Sequence, residues 1–538
     1  MQTFVVPRNA ETRPFHKHWQ FCVGSCHAPL LLRRDYIQQL KAVHDDLGIQ
    51  RVRCHGIFGD EMHTYDTLAD ALGNDQVPEL YYRNFRLPIL AYENVLAAGM
   101  QPFVELSFMP QHLAMDPTKR GSFYYKPCIS MPKSDEAWCD HIQAFVRALL
   151  DHFGTEEVRS WYFEVWNEPD LTTPFFAGTQ QDYFHLYEIT ARAVKAVDPA
   201  LRVGGPSTSA SKWVESFVAF CRKKDVPLDF VTTHQYPGDP ITSVYDQGAL
   251  NAEGLSETEQ EQMAQYANID LAALFSGLVP EEGILPFYRR ILRDTTETGD
   301  YDRAVLAKHG AIVKQQACGL PVYYTEWSDS ATCPSDGHDT RRMAAYDVFA
   351  ALAADGILDG SSIWCLSDTF EENLPYPEEF HGGFGLQTQH GIPKPVYRAM
   401  ELLGRAGDQR LVLDGALDGE ISLAAFRKGA DTQLVLTRQT LHHQQNKDAP
   451  AETAHIRVEL PAAPRAVVAW RIDEDHCNPA RAWQEMGRPM HPTPAQLELL
   501  RQASELRPEF WPVTYENGVL TLETVLGTND LCFIWIQE

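Results

Sequence analysis

Two glutamates of this 538-residue chain stand where they could carry out acid–base and nucleophilic chemistry. Glu168 ends the run W-Y-F-E-V-W-N-E, whose aromatic and β-branched residues suit a strand buried on both faces. Glu326 ends a second such run, V-Y-Y-T-E. A carboxyl group after so apolar a strand is costly unless it is used. Hydrolysis of a glycosidic bond requires such a pair, one carboxyl group to protonate the leaving oxygen and one to attack the anomeric carbon.

The residues next to these glutamates refine this interpretation. Because Pro169 disfavours a helical conformation at the preceding residue, Asn167 and Glu168 are expected to have extended backbone at the carboxyl end of the strand. Asn167 could there hydrogen-bond a sugar 2-hydroxyl group, and Tyr236 could hold Glu326 ionised. We expect the pKa of Glu168 to be raised by its apolar surroundings and by the negative charge of Glu326.

Short apolar strands alternate with amphipathic helices along most of the chain, which predicts an α/β fold, a (β/α)8 TIM barrel. A barrel collects the carboxyl ends of its strands on one rim, where catalytic residues lie. One histidine at a strand end is more often structural, but polar residues recur at several ends, which favours a shared pocket. These end residues are His55, Asn167, Glu168, His234 with Tyr236, Glu326 and Trp364, the last a candidate sugar platform. The predicted strands are 21–25, 51–55, 102–106, 161–167, 202–206, 230–234, 322–326 and 361–366, and the predicted helices include 34–47, 136–152, 181–197, 211–224, 303–317 and 340–355.

The pattern divides the chain into three parts. Residues 1–14 contain a short apolar run without a nearby partner and are predicted to join a later β-domain. Residues 15–405 form the barrel, with an insertion at 237–300 that is far longer than an ordinary connection between a strand and a helix. The insertion is interpreted as a lid or an oligomer contact, although a solvated helical excursion explains it equally well. Residues 406–538 are predicted to form an all-β sandwich, whose final strand pair flanks a turn at 527–529.

Composition excludes several classes of protein. The 73 acidic residues outnumber the 46 basic residues and give a net charge of -27, which would repel nucleic acid. No apolar run has the length needed to span a membrane. The first ten residues lack the features of a secretory signal, so the cytoplasm is expected. The 11 cysteines show no C-x-x-C pair and are interpreted as reduced core thiols.

No cofactor and no metal ion are predicted, because two carboxylates and a water suffice for this hydrolysis. His442 and His443 are adjacent, so in a strand of the predicted sandwich they would face opposite sides. His55 and His234 are expected on the rim, where they would suit sugar hydroxyl groups equally well.

Several motifs of the predicted rim carry a family resemblance. N-E-P-D after the fourth strand, H-x-Y after the sixth and T-E-W at the seventh resemble clan A of the glycoside hydrolases. R-C-H-G-I-F-G-D, E-L-S-F-M-P, W-C-L-S-D-T-F-E-E and F-H-G-G-F-G-L are similar to glycoside hydrolase family 39, particularly its bacterial β-xylosidases. The resemblance covers 15–405 and implies a barrel with a sandwich, Glu168 as acid/base and Glu326 as nucleophile. It also implies that the sugar is contacted by His55, Asn167, His234, Tyr236, Trp364, Glu371 and Glu372.

The leading hypothesis is therefore a retaining exo-β-D-xylosidase that releases xylose from the non-reducing ends of xylooligosaccharides. One alternative is an α-L-iduronidase, whose substrate carboxylate would favour a cation at the rim. Arg51 and Arg53 offer that cation, although they fit the barrel interior as well. A second alternative, a non-catalytic carbohydrate-binding protein, is opposed by the presence of both glutamates. Whether the chain forms a homo-oligomer is left open.

Overall fold

Eight parallel strands close into a barrel, each hydrogen-bonded to the next in sequence and the last to the first, which confirms the predicted (β/α)8 barrel. The computed structural model describes residues 2–74, 76–77, 80–239, 243–244, 302–372, 376, 378–440 and 449–538. The first to eighth barrel strands are Cys22–His27, Arg51–His55, Gln101–Leu106, Tyr162–Val165, Arg202–Thr208, Phe230–Gln235, Val322–Trp327 and Gly360–Ile363.

A helix follows each barrel strand, so the strands' carboxyl ends meet at one rim. Local signals fix several helix ends, such as the capping box of Thr179 and Asp182 before the helix that follows the fourth strand. The helices are Arg34–Leu47, Arg86–Ala97, Asp135–Phe153, Gln180–Val197, Val214–Lys224, Val305–Gln316, Arg341–Ala353 and Pro395–Gly404, with the shorter Leu68–Leu72 and Thr155–Arg159 between them. None of the helices in the described ranges is long and apolar enough to cross a membrane.

Aromatic side chains fill the amino-terminal end of the barrel. The rings of Phe21 and Tyr323 stack with centroids 4.5 Å apart, and those of Phe103 and Tyr162 stack at 5.5 Å. Phe230 completes this cluster. Because this end is packed with apolar rings, the polar residues of the barrel interior lie toward the opposite rim.

The carboxyl-terminal part packs two sheets around a second hydrophobic core. The amino-terminal strand Gln2–Val6 pairs in parallel with Glu452–Glu459. In spatial order, the four-stranded sheet consists of Gln2–Val6, Glu452–Glu459, Val519–Leu526 and Thr514–Glu516. The seven-stranded sheet consists, again in spatial order, of Glu509–Trp511, Ala466–Ile472, Leu531–Gln537, Asp431–Arg438, Ile421–Lys428, Gln409–Leu411 and Thr12–Pro14.

Two details of this region differ from the sequence analysis. The predicted final strand pair is wrong, because Val519–Leu526 and Leu531–Gln537 belong to different sheets. The turn between them, held by the Gly527 N–H donating to Asp530 Oδ2 at 2.6 Å, crosses from one sheet to the other. The region is also not purely β, since helices Pro479–Glu485 and Pro494–Ala503 lie within it.

Some predicted features fall outside the described residues. These are His442 and His443 and nearly all of the 237–300 insertion, of which only 237–239 and 243–244 are described.

Candidate active site

Glu168 lies on a tight turn immediately after the fourth barrel strand. Its φ is +39°, so the extended backbone predicted from Pro169 is wrong at this residue. The Glu168 N–H donates to the Ser207 carbonyl oxygen at 2.8 Å, and the Leu171 N–H donates to the Glu168 carbonyl oxygen at 3.0 Å. A left-handed conformation costs a non-glycine residue roughly 1–2 kcal/mol, and these bonds help to offset that cost.

Glu168 and Glu326 face each other across the rim, with His234 beside both. His234 Nδ1 lies 2.9 Å from Glu168 Oε1 and 3.7 Å from Glu326 Oε2. One ligand atom from each of the three residues lies within 4.8 Å of the other two. Retaining glycosidases hold their carboxyl groups about 5–5.5 Å apart, whereas inverting enzymes need roughly 6.5–9.5 Å for a water molecule between them. The closest approach of the two carboxylates is therefore shorter than the gap that an inverting pair needs, which favours a retaining mechanism.

Protein donors hold both carboxylate oxygens of Glu326. Arg53 Nη1 donates to Oε1 at 2.8 Å, and the Tyr236 hydroxyl group donates to Oε2 at 3.2 Å. Charge-assisted bonds of this kind are stronger than neutral ones and fix the direction of the acceptor. Glu326 is thus held as an oriented carboxylate.

Arg53 is the centre of a fully buried ionic network beneath the two glutamates. Its Nε donates to Glu164 Oε2 at 2.5 Å, and its Nη2 lies 2.9 Å from Glu105 Oε2 and donates to Asn167 Oδ1 at 2.7 Å. Burial alone would lower the pKa of the guanidinium, but the carboxylates of Glu164, Glu105 and Glu326 raise it. All three guanidinium nitrogens therefore have protein partners.

The sequence analysis left Arg53 open as an interior residue and missed Glu105 and Glu164 as its partners. The signal was present in R-V-R-C-H, because alternation in a strand puts Arg53 on the same face as His55. Glu105 and Glu164 also interrupt otherwise apolar strands, which is costly for a carboxylate without a partner.

His55 connects this network to the upper part of the pocket. Its Nδ1 lies 2.8 Å from Glu105 Oε2, and its Nε2 lies 3.6 Å from Glu326 Oε1 and 3.8 Å from Glu372 Oε1. Burial would raise the pKa of Glu105, but His55 and Arg53 hold it below its ordinary value. Burial raises the pKa of Glu372 well above its ordinary value, and the charges of Glu326 and Glu168 add to that effect. The raised pKa favours the neutral form of the Glu372 carboxyl group, which can donate a hydrogen bond.

The other predicted binding residues lie around the same centre. Asn167 is buried, and its Nδ2 has no hydrogen-bond partner within the described residues. The Trp364 ring lies 5.0 Å from that of His55. Glu371 is placed differently, because its carboxylate is bonded to His27 at 2.9 Å instead of joining the network of Arg53. The structure thus gathers the sequence-predicted site residues at one rim, with Glu371 at its outer side.

Burial raises the pKa of Glu168 to about 8, and the charges of Asp170 and Asp239 contribute in the same direction. His55 and Arg53 act against this shift. The sequence analysis named apolar surroundings and the charge of Glu326 as the causes; burial is the largest cause, and the charges that add to it are those of Asp170 and Asp239. Glu168 is therefore protonated at neutral pH, as a general acid must be.

Within the described ranges, the one cluster that could hold a metal ion contains both glutamates of the predicted catalytic pair. The cluster consists of Glu168, His234 and Glu326. The sequence analysis found no set of metal ligands, and the structure assembles this one from the two glutamates and from His234, which was predicted to bind the sugar. An ion there would occupy the positions that the acid proton and the sugar need.

Comparison with known proteins agrees with this geometry. Residues 3–290 and 297–519 match the profile of the family described as "Glycosyl hydrolases family 39". A β-xylosidase of Caldicellulosiruptor saccharolyticus is 36% identical over 510 residues, which cover 94% of this chain and 92% of that protein. A β-xylosidase of Geobacillus stearothermophilus is 32% identical over 551 residues, covering 100% and 96%. Among solved structures, a monomeric β-xylosidase from Caulobacter crescentus CB15 superposes with a TM-score of 0.76 at 29% identity, covering 100% of this chain and 99% of that chain.

Proposed function

Because this chain belongs to glycosyl hydrolase family 39, we propose that it is a retaining β-D-xylosidase that removes xylose from the non-reducing ends of xylooligosaccharides. The observation that carries the proposal is the pairing of a protonated Glu168 with an oriented Glu326 carboxylate, whose oxygens approach within 4.8 Å. The similarity to two β-xylosidases over nearly the whole chain supports the choice of sugar.

In the first step, a carboxylate oxygen of Glu326 attacks the anomeric carbon of the terminal xylose. Glu168 gives its proton to the glycosidic oxygen, so the bond to the leaving sugar breaks and that sugar departs as an alcohol. The product is a covalent ester between xylose and Glu326, with inverted configuration at the anomeric carbon.

In the second step, Glu168 acts as a base. Its carboxylate takes a proton from a water molecule, whose oxygen attacks the anomeric carbon and displaces Glu326. The second inversion restores the original configuration, and Glu168 is again protonated for the next cycle. The Tyr236 and Arg53 donors stabilise Glu326 as the departing carboxylate.

The remaining groups of the rim would bind the xylose hydroxyl groups. Asn167 Nδ2, which has no partner within the described residues, suits the 2-hydroxyl oxygen, and the Glu372 carboxyl group and His55 Nε2 offer further partners. Trp364 would provide the apolar platform beneath the ring.

The alternative of an α-L-iduronidase is disfavoured by the two arginines on which it depended. All three nitrogens of Arg53 are engaged by protein partners. The Arg51 guanidinium lies 4.7 Å above the Phe21 ring, in the aromatic cluster at the opposite end of the barrel. The non-catalytic alternative does not explain why a network fixes and tunes both glutamates.

A panel of 4-nitrophenyl glycosides, followed by NMR of the sugar product, tests the proposal. We expect the β-D-xylopyranoside to be the preferred substrate and β-xylose to be the first product released. Preference for an α-L-iduronide would support the alternative enzyme, initial α-xylose would contradict the retaining mechanism, and sugar binding without turnover would leave only a binding protein.

The Arg53→Met variant should lose both activity and stability. Removing one partner from a buried ionic network typically costs about 3–5 kcal/mol, because the remaining charges are left uncompensated. We also expect kcat/KM for the aryl xyloside to fall at least about 100-fold, since Glu326 loses a charged donor. Urea unfolding and steady-state kinetics measure the two effects.

Arg51→Met is the matched control, because Arg51 lies two residues away in the same strand but at the aromatic end of the barrel. Its kcat/KM should stay within about threefold of the wild type, the small effect expected away from the rim. Equal losses in both variants would show that Arg53 matters only for folding.

The protein should also hydrolyse xylosides without a metal ion. Two carboxylates and a water complete both steps, and an ion on Glu168, His234 and Glu326 would block them. Prolonged EDTA treatment should therefore leave kcat unchanged, and added divalent cations should not raise it. Activity lost on chelation and restored by one particular metal would contradict this mechanism.

The cytoplasmic location and the lack of nucleic-acid and membrane partners stay predictions from the sequence. Whether the chain forms a homo-oligomer also stays open. Light scattering of the purified chain would determine its mass in solution.

A further inference from the structure

His27 connects two loops of the rim through both of its ring nitrogens. It ends the first barrel strand and is 3% exposed. Its Nδ1 lies 2.9 Å from Glu371 Oε2, and its Nε2 lies 2.5 Å from Glu61 Oε1. Glu61 belongs to the loop after the second strand, in the short helix Asp60–Met62, and Glu371 belongs to the loop after the eighth. The histidine therefore joins loops that are far apart in the sequence.

The two hydrogen bonds of His27 require a particular protonation state of its ring. A neutral imidazole has one donor and one acceptor, whereas an ionised carboxylate only accepts. Two carboxylates can both be bound only if the ring carries two protons, as an imidazolium. Burial would lower the pKa of His27, but the hydrogen bonds that the ring donates to Glu371 and Glu61 outweigh burial and raise it.

Other contacts fix the positions of the ring and of the loop that it holds. The Tyr125 ring stacks on the imidazole with centroids 4.0 Å apart. The Glu371 N–H donates to Cys26 Sγ at 3.4 Å, and the Tyr124 N–H donates to the Glu372 carbonyl oxygen at 3.3 Å. Glu371 and Glu372 thus sit on one loop that is anchored to the first barrel strand and to the segment around Tyr125.

The charged groups around His27 come from three loops. Glu61 and Glu371 are the acidic neighbours in contact with the ring, and each favours its protonated form. Glu372 follows Glu371 on the same loop, and the charge of His27 acts against the rise that burial causes in the pKa of Glu372. Arg33 is the basic neighbour, with Nη1 4.0 Å from the other oxygen of Glu371. The acidic groups are the closer ones, so the local charge favours an imidazolium.

We propose that protonated His27 is a positioning residue that clamps Glu371, and with it Glu372, in the place from which this loop binds the terminal sugar. The proposal rests on the proposed function, because it assigns the clamped loop to sugar binding. Loss of one proton from His27 would break one of the two bonds and release one loop from the other.

The expected direction of the pH effect follows from this chemistry. Because the pKa of His27 is raised, the clamp is complete below the ordinary histidine pKa and is lost as pH rises through the raised value. Sugar binding should therefore weaken on the alkaline side. Glu168 and Glu372 also titrate in the pocket, so the test must separate their contributions.

The protonation state of His27 can be observed directly. In protein labelled with 15N-histidine, we expect both His27 nitrogens to show mainly imidazolium shifts at pH 6.5, where an ordinary histidine is only half protonated. The signal would be assigned by its loss in His27→Gln, or by its displacement in Glu61→Gln if the first variant does not fold. A ring that is mainly neutral at pH 6.5 would overturn the proposal whether or not the protein hydrolyses xylosides.

Binding measurements test what the clamp does. Xylose affinity would be measured by calorimetry from pH 6 to pH 9 in a Glu168→Gln background, which removes the titration of the acid. His27→Gln should weaken binding about tenfold at pH 6, the effect expected when charge-assisted hydrogen bonds are lost. In Glu61→Gln, the amide can donate to a neutral ring, so binding should change less between pH 6 and pH 9 than in the parent.

His112→Gln is the control, because His112 also bonds a carboxylate, Asp70 at 2.7 Å, but through one nitrogen only. Its xylose affinity and pH dependence should match those of the parent. A Glu61→Gln protein with the full alkaline loss of the parent would overturn the clamp. If no variant, including the parent, bound xylose while the NMR signal showed an imidazolium, the proposed function and not the ionic bridge would have failed.

Discussion

Glu326→Ala is expected to abolish turnover of aryl β-D-xylosides, with kcat falling on the order of 10⁵-fold or more, as loss of the nucleophile does in other enzymes with a covalent intermediate. The reason is that no other group can form the ester with the anomeric carbon, although Glu168 keeps its proton. Azide bound in the vacated space can attack only from the face opposite the leaving group. Any product that it forms should therefore be the α-xylosyl azide.

Glu168→Ala should behave in the opposite way, because Glu326 remains able to attack. A substrate with a good leaving group, such as a dinitrophenyl xyloside, needs no acid for the first step and should form the glycosyl-enzyme. The ester should then accumulate, since no base activates water, and a burst of phenol should precede slow turnover. Azide needs no base and should restore turnover with the β-xylosyl azide as product.

The two azide products distinguish the roles of the glutamates. Mass spectrometry should detect the xylose ester on Glu326 only in the Glu168→Ala protein. Rescue of both variants with the same anomer would mean that the nucleophile and the acid/base have been assigned wrongly.

The barrel could be predicted from sequence because its signals are local. Strand Arg51–His55 and helix Arg34–Leu47 have the predicted bounds, since alternation and helical periodicity are unambiguous there. The position of Glu326 at the rim follows from the same local pattern. Parallel strands must bring their carboxyl ends together, so recognising the strands was enough to bring the two glutamates together.

Features that depend on distant partners were not predictable in the same way. Nothing near His27 in the sequence indicates that Glu61 and Glu371 bind its two nitrogens, because that pairing depends on the course of two loops. The positive φ of Glu168 depends on a bond to Ser207, which outweighs the local preference set by Pro169. Val519–Leu526 and Leu531–Gln537 lie in different sheets because they pair with different strands. The first pairs with Glu452–Glu459 and the second with Asp431–Arg438.

The pH dependence of kcat/KM should report the unusual environment of Glu168. The acid must be protonated in the free enzyme, and its pKa is raised to about 8, so activity should decline as pH rises through about 8. The glutamine of Glu168→Gln cannot ionise, so this variant should lose the alkaline limb when both proteins are assayed on the 4-nitrophenyl xyloside, whose leaving group is poorer than dinitrophenolate. A limb that persisted unchanged would point to another acid, with His234 as the next candidate.

The same shift has a consequence for stability that does not depend on turnover. Between the ordinary glutamate pKa and about 8, the folded protein keeps a proton on Glu168 that the unfolded chain has already released. This residue's contribution to stability is therefore complete at low pH and is lost as pH rises through about 8, where a charged carboxylate must remain buried. Glu168→Gln avoids that cost. The Tm of the variant minus the Tm of the wild type should therefore increase from pH 5 to pH 9. A Tm difference that stayed constant over this range would show that the carboxyl group ionises as readily in the pocket as in water, and the assignment of Glu168 as a neutral acid would then fail.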